Sequence, residues 1–178
     1  METINLISPS VRYAEDIMRV KQEILLANDD DSFAGCGSLG SCETIAEWLD
    51  ILKNMENIET CPEGFVTSNT YLAVRLSDNR IIGIIDLRHH IDHPILGLWG
   101  GHIGYSIRPS ERGKGYGKEM LRLNLEKCRE RGMTKVMVTC SPQNVASART
   151  IIANGGVYEK DVQVDGEVIQ RYWINFGV

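Results

Sequence analysis

The chain has 178 residues, of which 43% are hydrophobic and 24% charged, and a formal net charge of −5. That length suits one domain with a substantial core, and the fractions are those of an ordinary soluble globular protein. An acidic balance lacks the clustered Lys and Arg of a nucleic-acid surface, and no run reads as a signal peptide or membrane span, so neither nucleic acid nor membrane is an expected partner. Five cysteines, an odd number without C-x-x-C spacing, fit reduced thiols in a cytoplasmic protein and argue against a disulfide framework or a structural zinc site.

Residues 2–7 predict a first strand. Ser8-Pro9 reads as a helix start, with serine as N-cap and proline at the first helical position. Tyr13, Ile17, Val20, Ile24 and Leu25 recur at helical spacing and give one apolar stripe, ended by Asn28-Asp29-Asp30-Asp31. Gly35, Gly37 and Gly40 among serines predict an irregular loop over 32–41. Ile45, Trp48, Leu49, Leu52 and Met55 predict a second amphipathic helix, with Thr44 and Glu47 at capping-box spacing.

Two β-rich runs, 70–76 and 80–87, flank Ser77-Asp78-Asn79 and predict a hairpin. Residues 88–100 read as a loop. Its His89, His90, Asp92 and His93 have the composition of metal ligands, but no helix or strand spacing aims them together, so no metal is expected. A strand-like run begins at His102, breaks at Pro109 and enters Arg112-Gly113-Lys114-Gly115-Tyr116-Gly117, after which a helical pattern runs to a C-terminal cap at Gly132. A short buried-type strand over 135–140, a helix over 144–154 and a hairpin of 157–164 with 168–174 around Asp165-Gly166 complete the chain. Without repeats or linkers, this predicts one domain over residues 1–178 with the order β-α-α-β-β-β-α-β-α-β-β.

A strand, a glycine loop and a helix N-terminus together form a phosphate-binding device, because glycines let backbone N–H groups approach an anion and the helix end favours negative charge. A Walker A loop fails: its first glycine falls on Arg112 and its magnesium-binding hydroxyl on Glu119. The dinucleotide fingerprint is weak, since the spacing is G-x-G-x-G and no acidic residue ends the strand at 135–140.

The loop does resemble motif A of the GNAT superfamily, the acetyl-coenzyme A-dependent N-acetyltransferases. Its Arg/Gln-x-x-Gly-x-Gly/Ala pattern is matched by Arg112, Gly115 and Gly117, and Ile107-Arg108-Pro109 is similar to the V-x-P that precedes it. The order of elements is that of the GNAT fold, and Asn144-x-x-Ser147 resembles the family's N-x-x-A/S segment. Over its whole length the chain is most similar to a bacterial-type group of predicted acetyltransferases whose motif reads GGHIGY-S-I/V-RPSERGKGY.

The resemblance implies an α+β (α/β three-layer) fold with a mixed, mostly antiparallel sheet and helices on both faces. It implies an acyltransferase that moves an acetyl group from acetyl-coenzyme A to a primary amine of a small molecule or peptide, by direct transfer in a ternary complex. The amides of Gly113, Lys114, Gly115, Tyr116, Gly117 and Lys118 would hold the cofactor pyrophosphate with Arg112 in support, and Asn144 and Ser147 would face the cofactor. Backbone N–H groups around Tyr105, Ser106 and Ile107 would meet the oxyanion. Plainer readings stand beside these: Lys114 and Lys118 as solvated charges, Tyr116 as a packed ring, and Asn144 as a helix cap.

Two catalytic positions depart from the family. Where relatives read E-I-G-Y, this chain reads His102-Ile103-Gly104-Tyr105, so His102 is the candidate base, with a hydrogen-bonded structural histidine as the alternative and Asp86 as a second candidate. The usual tyrosine acid falls on Ile151, leaving Tyr105 and Tyr158 as candidates. That substitution also keeps open a non-catalytic acyl-CoA-binding sensor or regulatory module. The acceptor surface implied by the family covers 29–42, 58–69 and 161–171, where Asp29, Asp30, Asp31, Glu59 and Glu63 favour a cationic amine. Homodimers are common in the family.

Overall fold

The computed structural model describes residues 2–28 and 33–177. Asp29, Asp30 and Asp31, part of the expected acceptor surface, lie outside the described residues. The elements in order are β1 (Ile4–Ile7), α1 (Ala14–Ala27), α2 (Ile45–Met55), β2 (Ser68–Arg75), β3 (Ile81–Arg88), β4 (Tyr105–Ile107), α3 (Tyr116–Glu130), β5 (Lys135–Cys140), α4 (Val145–Ala153), β6 (Val157–Val164) and β7 (Glu167–Asn175). This is the order expected from the sequence.

The strands form two antiparallel sheets, β1-β2-β3-β4 and β5-β7-β6. They meet at a single parallel bridge among the described residues, Ile103 to Val138. Each of the two helix pairs closes its own core. Helices α1 and α2 cover one face, where Ile17, Val20, Ile24, Trp48 and Leu52 pack against Leu72, Val74, Ile81 and Ile84. On the other face α3 and α4 bring Met120, Leu121, Leu125 and Ile151 onto Ile82, Ile85, Val136 and Val138. Strand β3 therefore feeds both cores, which is why its sequence is an almost unbroken apolar run. Truncating one of these fully buried side chains to Ala costs about 2–5 kcal/mol.

Helix α2 begins as its sequence requires: the Thr44 hydroxyl accepts the Glu47 N–H at 3.1 Å, and the Glu47 carboxylate takes the Glu43 N–H at 2.9 Å. Helix α1 does not. Ser8-Pro9 is not its start, because Ser10 is extended and a 3₁₀ turn over Val11–Tyr13 leads into a helix beginning at Ala14. Ile17, Val20 and Ile24 make its buried stripe, while Leu25 is exposed. Strand β4 is only three residues long, and the loop before it closes in a π-helical turn over Leu96–Gly100. The Asp165-Gly166 turn has positive φ at both residues, as a two-residue hairpin needs.

Candidate active site

The cleft exists because β4 and β5 start together and then part. His102 N–H donates to Met137 O at 2.8 Å, and His102 Nδ1 accepts the Met137 N–H at 2.9 Å. One residue thus satisfies both polar groups of Met137 at the closed end. On its other side β4 is laddered to β3 through alternate residues: Asp86 N–H donates to Gly104 O, Arg108 N–H to Ile82 O, and Ser106 lies opposite Ile84. The alternation turns the N–H groups of Tyr105 and Ile107 away from β3, toward the gap. Beyond the Ile103–Val138 bridge the gap widens into a cleft of about 800 Å³.

One end of the cleft is the glycine loop. Gly113 and Gly115 have φ of 74° and 85°, in the left-handed region that glycine adopts without strain. Gly115 is the N-cap of α3 and supplies no side-chain cap, so the first N–H groups of a 15-residue helix are left to the cleft rather than to a serine or aspartate. Gly117 lies in the first turn, where an added Cβ would come within 3.4 Å of Thr150 Oγ1, so α3 and α4 approach closely there. Arg112, Gly113, Gly115, Tyr116, Gly117 and Lys118 all line the cleft. Arg112 Nε is anchored to Ile107 O at 3.2 Å.

The opposite wall is the start of α4. Asn144 caps that helix, its Oδ1 accepting the Ser147 N–H at 3.0 Å, and it lines the cleft as well. Tyr105 reaches across from β4: its hydroxyl lies 2.9 Å from Ser147 Oγ. Ser106 faces the other way, its Oγ donating to Ala34 O at 2.8 Å. That bond ties down the loop after α1, which crosses β4 at Gly35. Gly35 has φ of 71°, and a Cβ there would sit 2.0 Å from Gly104 O, so this crossing of two backbones requires glycine.

The expected residues divide unequally. Tyr105, Ser106, Ile107, Asn144 and Ser147 come together around the cleft with the glycine loop. Lys114 is not among the lining residues; its Nζ is bound to Ser110 O and Glu111 Oε2, both at 3.0 Å. Tyr158 is exposed on β6 and gives its hydroxyl to Asp161 Oδ1 at 3.0 Å, outside the cleft. His102 also stands outside the lining. Burial pushes its imidazole down to about 4, so at neutral pH the ring is uncharged and Nδ1 is engaged as the acceptor of the Met137 N–H. Asp86 is buried, with Oδ1 accepting the Gly104 N–H at 2.6 Å and Oδ2 3.2 Å from Arg88; burial raises its carboxyl above the usual range.

The histidines of the 88–100 loop are separately engaged. His89 is held between Thr67 Oγ1 and Asn69 Oδ1, each at 2.8 Å, and His93 Nε2 contacts Gly64 O. No group of three or more His, Cys, Asp or Glu among the described residues could hold a metal ion. Sequence reasoning did not single out Thr139, Gln143 or Thr150 in the lining, since they carry no motif. Glu111, inside the glycine motif itself, could have been noticed there.

The family model of the acetyltransferase (GNAT) domain matches residues 14–157. The chain belongs to the GNAT acetyltransferase family. It is therefore an acyltransferase by family. Solved GNAT structures share the fold. The ribosomal L7/L12 α-N-protein acetyltransferase RimL in complex with coenzyme A has a TM-score of 0.67 at 18% identity, covering 97% of this chain and 94% of that one. A chimera of the spermidine N-acetyltransferase SpeG from Vibrio cholerae with hSSAT has a TM-score of 0.64 at 14% identity, covering 97% and 94%. The aminoglycoside acetyltransferase AAC(6')-Ib in complex with coenzyme A has a TM-score of 0.62 at 14% identity, covering 99% and 95%. No protein of curated function matches the chain significantly in sequence. No helix of the described residues is long and apolar enough to cross a membrane.

Proposed function

We propose that this GNAT domain transfers an acetyl group from acetyl-coenzyme A to a primary amine, by direct attack within a ternary complex. The observation that carries the reading is the cleft itself: two strands part beside an uncapped helix N-terminus with two left-handed glycines. That set of donors fits a pyrophosphate, because the N–H groups and helix dipole favour negative charge and no side chain of the glycines obstructs the approach. The solved relatives RimL and AAC(6')-Ib are themselves complexes with coenzyme A.

Within this reading the outward N–H groups of β4 at Tyr105 and Ile107 stabilise the oxyanion of the tetrahedral intermediate. Tyr105 serves as proton donor to the departing thiolate: its hydroxyl lies in the cleft beside Ser147, whereas Tyr158 is committed to Asp161 outside it. His102 is assigned to the architecture, since its Nδ1 is spent on Met137. Among the described residues the lining holds no histidine and a single carboxylate, Glu111, which is tied to cations. The amine's proton accordingly passes to water. Acidic Glu59 and Glu63, both exposed, favour a cationic acceptor such as a polyamine, aminoglycoside or lysine-like amine.

The second reading, an acyl-CoA-binding module without catalysis, draws on Ile151, which stands fully buried where the family's tyrosine would be. Calorimetric titration with acetyl-coenzyme A and coenzyme A, alongside ATP and NAD, tests the ligand. A transfer assay over a panel of amines then separates the two. Selective binding of the coenzyme A compounds with turnover of one amine class is expected; binding of ATP or NAD instead would overturn the reading.

A further inference from the structure

The loop built to receive an anion contains a carboxylate, and it is almost wholly buried. Glu111 is 5% exposed and lines the cleft between Pro109 and Arg112. Its Oε2 accepts from Arg75 Nη1 and from Lys114 Nζ, each at 3.0 Å, and its Oε1 lies 3.0 Å from Arg80 Nε. Lys114 is fastened a second time, to Ser110 O. Arg75 is fastened too, to Asp78 at 2.6 Å, and it contacts the Tyr116 hydroxyl at 3.4 Å. Burial alone would raise the Glu111 carboxyl, but the Lys114 hydrogen bond and the Arg75 charge outweigh it and hold the group below its usual range.

This carboxylate acts on a bound anion in two opposed ways. Its charge repels a phosphate through space. Its bonds, however, decide where the loop stands. Lys114 is the residue between the two left-handed glycines, Gly113 and Gly115, and folding its side chain back onto Glu111 and Ser110 O removes it from the cleft. Arg75 ends β2 and Arg80 immediately precedes β3, so Glu111 moors the loop to the β2–β3 hairpin. The magnitudes favour the second effect. Charge-assisted bonds to a buried carboxylate are about twice as strong as neutral ones, whereas a charge with three cations in contact exerts little field at a neighbouring phosphate.

We propose that Glu111 is a positioning residue of the cofactor loop, holding Lys114, Arg75 and Arg80 so that the amides of residues 113–117 face the cleft before any ligand arrives. The inference rests on the coenzyme A reading above for its ligand, and on the loop's own bonds for its mechanism. It assigns the acidic residue of the motif a part that its charge alone would contradict.

Two measurements on the wild type, Glu111→Gln and Arg80→Gln test it. In the unliganded protein, hydrogen exchange at the amides of 113–117 should quicken about tenfold in Glu111→Gln and about threefold in Arg80→Gln, which loses one of three partners. Calorimetry with coenzyme A should show affinity falling by similar factors, with kcat at saturating acetyl-coenzyme A unchanged and its KM raised. Affinity that rises in Glu111→Gln, as charge removal alone dictates, or exchange that stays at the wild-type rate, overturns the positioning role. A wild type that binds no coenzyme A overturns the proposed ligand alone, because the exchange rates still decide whether Glu111 orders the loop. Arg80 is partly exposed, so that variant carries the test if Glu111→Gln does not fold.

Discussion

His102 Nδ1 accepts the Met137 N–H at 2.9 Å, and the His102 N–H is returned to Met137 O at 2.8 Å. This reciprocal pair stands one residue before the Ile103–Val138 bridge, beyond which β4 and β5 diverge around the cleft. A side chain that completes a backbone rung must remain an acceptor, and protonation would set a donor against a donor.

The pH dependence of stability follows from that bond. The folded-state imidazole is pushed down to about 4 from an ordinary value of 6.5, chiefly by burial. The stabilisation is thus fully present above pH 6.5 and is lost as pH falls from there to about 4, amounting to at most about 3 kcal/mol. Denaturant melts of wild type and His102→Asn across this window should diverge, because asparagine keeps an acceptor near Nδ1 without titrating. Identical acid profiles would remove His102 as the origin. Turnover of His102→Asn at pH 8 should stay within a few-fold of wild type, whereas loss of a general base would cost about 10²-fold or more.

Tyr105→Phe removes the hydroxyl that lies beside Ser147 and leaves the ring in place. The expected result is a kcat lower by about 10²-fold with coenzyme A affinity nearly unchanged. Tyr158→Phe, outside the cleft, should leave kcat within a factor of about two, since its hydroxyl serves only Asp161 on an exposed strand. If the two variants behave in reverse, the assignment of the proton donor is wrong.

Because no histidine lines the cleft among the described residues, the rate should follow the acceptor's own ionisation. We expect kcat/KM to climb about tenfold per pH unit toward the amine's pKa, near 10.4 for an alkyl amine. An inflection between about pH 6 and 7 would instead reveal a histidine-like base.

Gly113→Asp introduces a carboxylate at the mouth of the loop. No atom lies within 4 Å of the position its Cβ would take, so the cost to the fold is the left-handed φ of 74°, about 1 kcal/mol. Coenzyme A affinity should fall by about 10²-fold through repulsion at the pyrophosphate, with a nearly normal melting temperature. Unaltered binding in this variant would remove the glycine loop as the anion site.

Gly35→Ala should be far more damaging. Its Cβ would occupy a point 2.0 Å from Gly104 O, where backbone meets backbone and no side chain can yield. A loss of about 3 kcal/mol or more is expected, read as a fall in the denaturation midpoint.

Much of this protein is written locally. The stripe Ile17, Val20 and Ile24, the Thr44–Glu47 capping box, the Asp165-Gly166 hairpin and the uncapped glycine entry to α3 each depend on residues within one or two turns of each other, so periodicity and turn chemistry suffice to read them. The motif around Arg112, Gly115 and Gly117 likewise located the glycine-loop end of the cleft, because that turn and the helix entry after it are built from consecutive residues. What the chain alone left open were contacts between distant residues. Base and structural histidine are both open readings of His102 in sequence, and the bond its Nδ1 accepts from Met137, thirty-five positions away, exists only in the fold. Tyr105 and Tyr158 read alike until one meets Ser147 across the cleft and the other meets Asp161 outside it. The mooring of Glu111 by Arg75 and Arg80 and the crossing of Gly35 over Gly104 are equally silent in sequence. Burial and partner geometry set the protonation and direction of a side chain, and both are properties of the packed fold rather than of neighbours along the chain.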